Sequence, residues 1–237
     1  ARLHATEIAR FPLEPAATIT AAIESDLEFW CALASERGVA RKPLLQLTAR
    51  VLRETLPDDD RRPSVVHGDV GPGNFMVDGG RVSAMLDWEL AHVGDPHEDL
   101  AWLWMRGAHS AFGDPLRRIS EYESASGTRL SRERLRWHLA FVMWKSCISM
   151  EIGLQRHEAT ASTLLQTVVL LTYDALLACQ IIRVLGDGFE LLAPDVVADR
   201  EPTIRPEVRL AERLLQLPDA SREATLIGEY LRDAAAQ

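Results

Sequence analysis

His67-Gly68-Asp69-Val70-Gly71-Pro72-Gly73-Asn74, followed by Leu86-Asp87-Trp88-Glu89, is the stretch on which the reading of this chain turns. Asp69 and Asn74 stand five apart across a run rich in glycine and proline. Gly71, Pro72 and Gly73 suit neither a helix interior nor a central strand, so this is a loop. Apolar Val65 and Val66 precede it, and Phe75, Met76 and Val77 follow. Asp78-Gly79-Gly80 is a turn signal, and Val82 to Leu86 form a second apolar run that delivers Asp87. The pattern predicts a hairpin with Asn74 at one open end and Asp87 at the other. Asp69, Asn74 and Asp87 should therefore converge. Carboxylate and carboxamide oxygens are ligands that magnesium prefers, with phosphate oxygens completing the shell. A carboxylate outside that shell can take a proton from a hydroxyl.

The spacing resembles the protein-kinase catalytic loop, in which an aspartate is followed five residues later by a metal-binding asparagine and, after a hairpin, by a metal-binding aspartate. His-Gly-Asp at 67–69 and Asp-Trp-Glu at 87–89 resemble the aminoglycoside phosphotransferase and choline kinase family. Gly94-Asp95-Pro96 and then Asp99-Leu100-Ala101-Trp102 continue that family's pattern. The form is also similar to phosphotransferase-like domains of broad distribution, some fused to acyl-CoA dehydrogenases. The sharp motifs cover Val65 to Leu103. The resemblance implies an α+β fold, mostly α-helical: the C-terminal lobe of a protein-kinase-like fold with a small catalytic β-hairpin. It implies that Asp69 is the catalytic base, that Asn74 and Asp87 hold Mg²⁺, and that ATP or GTP is the phosphate donor. His67 and Asp99 would support the site, His67 beneath the loop and Asp99 as a buried acceptor for loop backbone. The implied partners are the nucleotide and a small-molecule hydroxyl acceptor.

No GxGxxG or GxxxxGK motif occurs, and the chain has two lysines, Lys42 and Lys145. Lys42 precedes Pro43 at a helix start, and Lys145 falls within a long helical pattern. Phosphoryl transfer depends on a lysine and loop backbone that hold the nucleotide phosphates. Residues 1–237 are therefore read as the catalytic lobe alone, from a protein whose N-terminal nucleotide-binding lobe this sequence lacks. The first residue, Ala rather than Met, fits a processed or truncated chain. The runner-up reading is a non-catalytic kinase-like module kept for binding or regulation. A metal-dependent phosphoesterase, drawn from Gly68-Asp69 and Gly73-Asn74, lacks the Asp-x-His and the following histidine such enzymes need.

Composition frames these readings. The formal net charge is −9, with 47% hydrophobic and 26% charged residues. An acidic chain argues against non-specific nucleic-acid binding, which needs a basic face. Leu164 to Leu185 is the most apolar segment, but Gln166, Asp174, Gln180 and Arg183 interrupt it, so no membrane span is expected. Cys31, Cys147 and Cys179 are odd in number and widely spaced, and free thiols suit a reducing cytoplasm.

Most of the remaining chain reads as helix: Ala16 to Arg37 ending at Gly38, Pro43 to Leu56, and a helix from Asp95 with Pro96 at its first position and Glu98 as a capping-box partner. Asp114-Pro115 opens another that Gly127 closes, Ser131 opens a long one, and Leu164 to Leu185 follows. A connector to Pro206 and helices over Glu207 to Leu215 and Asp219 to Ala235 complete the reading. Asp58 to Pro63 reads as an exposed, solvated charged loop. His92 and His97, near Asp95 and Asp99, match no zinc-ligand spacing. Trp88, Trp102, Trp104, Trp137 and Trp144 fit core positions better than an aromatic cage for a quaternary ammonium.

Overall fold

The computed structural model describes residues 1–107, 114–155 and 161–185, in two compact units, Ala1–Lys145 and Ser146–Gln237. The first unit runs α1 (Ile19–Glu36), α2 (Pro43–Glu54), β1 (Ser64–Val66), β2 (Phe75–Asp78), β3 (Arg81–Met85), β4 (His92–Gly94), α3 (Pro96–Gly107) and α4 (Pro115–Ser126). α5 (Arg132–Leu154) begins in it and ends in the second unit, which also holds α6 (Ala161–Leu185). Along α6, Leu170, Tyr173, Leu177 and Ile181 are buried at three- and four-residue intervals, one face of a helix. The readings over Gly186 to Ala235 lie outside the described residues. No helix among the described residues is long and apolar enough to cross a membrane.

Local chemistry sets the helix ends. Thr18 is extended and its hydroxyl accepts from the Ala21 N–H, so α1 starts at Ile19, three residues after the predicted Ala16. Its buried stripe is Ile19, Ala22, Ile23, Leu27, Trp30 and Ala34. α2 stops at Glu54, short of the predicted Leu56, because Thr55 leaves helical geometry and bonds back to the Val51 carbonyl at 2.7 Å. Asp114 caps α4 through the Leu116 N–H, and Gly127 closes it at φ 69°.

The strands form two antiparallel pairs. β2 and β3 make the expected hairpin, with Asp78 opposite Arg81. Gly79 (φ 55°) and Gly80 (φ 74°) form its two-residue loop. Successive positive φ angles match the right-handed twist of the strands, and glycine adopts them without steric cost. Among the described residues neither strand pairs with a further strand, and Met76, Val77 and Val82 are exposed. The second pair, β1 with β4, was not foreseen from sequence. It matches Val65 with Val93 and Val66 with His92, and so returns the chain beside the start of the catalytic stretch.

Two charged positions depart from expectation. Asp59, read as part of a solvated loop, is 9% exposed. Its carboxylate accepts from Arg61 and Arg134, and its backbone accepts from Thr20 at the start of α1. The flanking arginines hold its pKa well below the usual carboxylate range, side-chain hydrogen bonding from Arg61 most of all. Asp95 does start α3, its carboxylate accepting the His97 N–H at 3.0 Å. Glu98 does not complete a capping box but turns inward to Lys145 and His92. Trp102, Trp137 and Trp144 are core residues.

Candidate active site

Asp99, in the first turn of α3, is 3% exposed. Its Oδ1 accepts the backbone N–H of His67 (3.1 Å) and Gly68 (3.0 Å). Its Oδ2 lies 3.0 Å from the same His67 nitrogen and 2.9 Å from His4 Nε2. One buried carboxylate thus satisfies two amides at the head of the loop, where an unpaired amide would cost about 1–3 kcal/mol. The other nitrogen of His4 lies 2.8 Å from the Tyr122 hydroxyl. Burial and then the charges of Asp99 and Asp95 push the Tyr122 pKa up to about 12, so the hydroxyl remains a donor.

His67 is fully buried. Its Nδ1 accepts from the Asp69 N–H at 3.3 Å, and its Nε2 lies 2.8 Å from the Leu86 carbonyl. A backbone amide only donates, so the ring is the neutral tautomer with its proton on Nε2. It therefore fastens the loop carrying Asp69 to the strand end that delivers Asp87.

Asp69 and Asn74 are in contact. Asn74 Nδ2 donates to Asp69 Oδ2 at 2.8 Å and to the Asp69 carbonyl at 2.9 Å. Both bonds use the amide nitrogen, and among the described residues the Asn74 Oδ1 accepts no hydrogen bond. Asp69 Oδ1 lies 2.5 Å from Arg106 Nη1, on the last turn of α3. Arg106 also donates to the carbonyls of Asp69 (3.1 Å) and Pro72 (2.9 Å). Two glycines are obligatory here. A Cβ on Gly68, at φ 79°, would meet the Leu90 carbonyl oxygen at 2.2 Å, and one on Gly71 would meet the Arg106 side chain at 2.6 Å.

Asp87 follows directly. The Leu86 N–H donates to the Asn74 carbonyl at 2.9 Å, which extends the hairpin ladder by one bond, up to the residue before Asp87. Asp87 is the one non-glycine residue at positive φ (63°) among the described residues, and it is exposed. Backbone held in this region costs on the order of 1–3 kcal/mol and is found where a site requires it. A carboxylate and a carboxamide oxygen are the kind of donor a hard divalent cation takes.

Residues 1–138, more than half of the chain, match the phosphotransferase enzyme family. The chain belongs to that family. The human protein acyl-CoA dehydrogenase family member 11 is 41% identical over 61 residues, 25% of this chain and 8% of that protein. The uncharacterized protein YcbJ of Bacillus subtilis is 35% identical over 69 residues, 28% of this chain and 21% of that protein. The chain spans less than a quarter of either relative. A crystal structure of a putative aminoglycoside phosphotransferase from Ralstonia eutropha superposes with a TM-score of 0.63 at 19% identity, over 76% of this chain and 61% of that one. That likeness shows the fold, which is kinase-like and mostly helical with small antiparallel β pairs.

Beside the loop of this phosphotransferase-family chain lies a charge cluster that the sequence reading missed. Lys145 of α5 is 2% exposed and its Nζ bonds to Asp26 of α1 and to Glu98 of α3, the latter at 2.8 Å. His92 of β4 lies 3.2 Å from the other Glu98 oxygen. Burial opposes charge on Lys145, Glu98 and His92, but opposite partners outweigh it. The Lys145 pKa is raised by Asp26 and Glu98, that of Glu98 is held well below the usual carboxylate range by Lys145 and His92, and that of His92 rises to about 9 through Glu98 and Asp26. His92 thus neighbours two carboxylates, and Lys145 supplies the cation between them. His97 bonds to Asp95 instead, at 2.7 Å. A cavity of about 700 Å³ opens here, with Asp26, Trp30, His92 and Lys145 on one side and Gly68 and Glu89 toward the loop.

His4 and Arg106 were also missed. His4 sits in a mixed polar segment that gives no signal. Arg106 stands seven residues after Asp99, two turns along one helix face, and that spacing was readable.

Proposed function

We propose that this chain carries the transfer centre of an O-phosphotransferase that moves the terminal phosphoryl group of ATP or GTP to a hydroxyl of a small molecule. The observation that carries this reading is the Asp69–Asn74 contact of 2.8 Å at the open end of a hairpin whose second strand delivers Asp87. In it, Asp69 orients the acceptor hydroxyl and takes its proton. Asn74 Oδ1 and the Asp87 carboxylate would hold Mg²⁺, which when bound neutralises charge on the nucleotide phosphates. His67 and Asp99 keep the loop in register with the strand end. A cavity of about 700 Å³ beside Gly68 is a fitting size for a small acceptor.

The nucleotide-clamping elements lie outside these residues in this reading. Lys145 is not available for the phosphates, being committed to Asp26 and Glu98. The experiment is a panel of hydroxyl compounds given to the full-length protein with Mg²⁺ and ATP or GTP, following nucleotide consumption. Acceptor-dependent turnover supports the reading. Nucleotide or acceptor binding without turnover on any compound supports the non-catalytic module instead.

Asp87 offers a separate test. Glycine adopts φ 63° without a Cβ penalty, so Asp87→Gly should unfold in urea at a free energy within about 1 kcal/mol of wild type or above it. Turnover should nonetheless be lost, with no recovery at saturating Mg²⁺. A variant that is stable and still active would remove Asp87 from the metal set.

A further inference from the structure

We infer that Arg106 is a positioning residue for the transfer step, holding Asp69 so that Oδ2 is the oxygen that meets the acceptor hydroxyl; this rests on the phosphotransferase reading above. Arg106 reaches Asp69 Oδ1 at 2.5 Å and the carbonyls of Asp69 and Pro72 at 3.1 and 2.9 Å. One planar guanidinium therefore fixes both the carboxylate and the loop that carries it. Without it, a half-buried carboxylate at the tip of a glycine-rich loop would be free to turn about its last bond.

The two carboxylate oxygens are not equivalent. Oδ1 faces a guanidinium, which donates and cannot accept. Oδ2 accepts one hydrogen bond, from Asn74 Nδ2 at 2.8 Å, and retains a second acceptor position. Oδ2 also borders Asn74, whose own free oxygen belongs to the proposed metal set. The proton-accepting oxygen is thereby placed where the phosphoryl group is to be held. In the step itself, the acceptor oxygen forms a bond to the terminal phosphorus as its proton passes to Asp69 Oδ2. The bond from that phosphorus to the bridging oxygen breaks, and the electron pair leaves with the nucleoside diphosphate.

The loop is built around this arginine. The side chain occupies the space that any Cβ at position 71 would need, at 2.6 Å. α3 holds the loop twice from one face, at His67 and Gly68 through Asp99 and at Asp69 and Pro72 through Arg106, two turns apart. The helix acts as a splint along the whole catalytic stretch.

The test compares Asp69→Asn, Arg106→Gln, Arg106→Lys and the double variant Asp69→Asn/Arg106→Gln in the full-length protein. The readout is Mg·ATP consumption with an accepted hydroxyl compound, or with water as acceptor. Arg106→Gln should lower kcat about 10- to 100-fold, the scale of a misplaced reacting group, with the nucleotide KM within about twofold. Arg106→Lys keeps the stem over Gly71 and part of the charge, and should recover part of the loss. The double variant should be no slower than Asp69→Asn alone, because the arginine acts through the carboxylate. Unchanged kcat in Arg106→Gln, alongside a slow Asp69→Asn, overturns this inference and leaves the reading intact. A full additional loss in the double variant also overturns it, since Arg106 then acts on the fold. Normal turnover by Asp69→Asn, or none by wild type, removes the reading and the inference together.

Discussion

Asp69→Asn and Asp69→Ala should each lower phosphoryl transfer by the full-length protein about 10²- to 10⁴-fold, the usual scale for a positioned acid–base group. The two substitutions probe different things. Asparagine keeps the size of the side chain and one oxygen for Arg106, but it sets an amide nitrogen against the donor Nδ2 of Asn74, now 2.8 Å from an acceptor. Alanine removes both contacts. If the carboxylate matters as a proton acceptor, both variants are slow and the nucleotide KM barely moves, because only an interaction of the transition state is lost. If it matters only as a partner for Arg106, asparagine, which keeps that oxygen, retains far more activity than alanine. Near-normal turnover by either variant would take Asp69 out of the catalytic role.

The largest effect on stability is expected at Lys145. Removing one partner from a buried ion pair leaves an uncompensated charge, so Lys145→Ala should cost about 3–5 kcal/mol in urea unfolding. Glu98 is 2% exposed and would be left with His92 alone. The variant's Glu98 should then bind a proton more readily when folded than when unfolded, so its deficit against wild type narrows as pH falls below about 5. In wild type, His92 adds a second dependence. Its folded pKa, about 9, lies above the unfolded value of 6.5. Its contribution is therefore complete below 6.5 and fades as pH rises through 9. Taking the ammonium away also leaves ligand atoms of Asp26, His92 and Glu98 within 4.8 Å of one another. Zn²⁺ should accordingly raise the melting temperature of Lys145→Ala and leave that of wild type unchanged. A variant as stable as wild type without metal would show that the cluster contributes nothing to folding.

What could be read beforehand was whatever local spacing dictates. Asn74 and Leu86 are twelve positions apart, yet a hairpin closed by Gly79-Gly80 pairs their backbones, and that geometry is written in the intervening residues. The caps at Asp95, Asp114 and Gly127 were legible for the same reason. What escaped were contacts between distant segments. β4 is three residues long and gives no periodic signal of its own. Lys145 looked like one more residue of a long helix, because nothing near it announces Asp26 and Glu98, 119 and 47 positions away. Asp59 was mistaken for a solvated residue because its partner Arg134 is 75 positions distant. A charge run shows its composition in sequence, but whether water or an arginine neutralises it is decided by the packing of other elements.

The hairpin of β2 and β3 has a further consequence for handling the molecule. Among the described residues each strand pairs only with the other, and Met76, Val77 and Val82 present apolar surface at 53, 65 and 52% exposure. Such a ribbon is a template onto which a second chain can add a strand. A lysine in place of Val77 would blunt that template without touching the loop beyond.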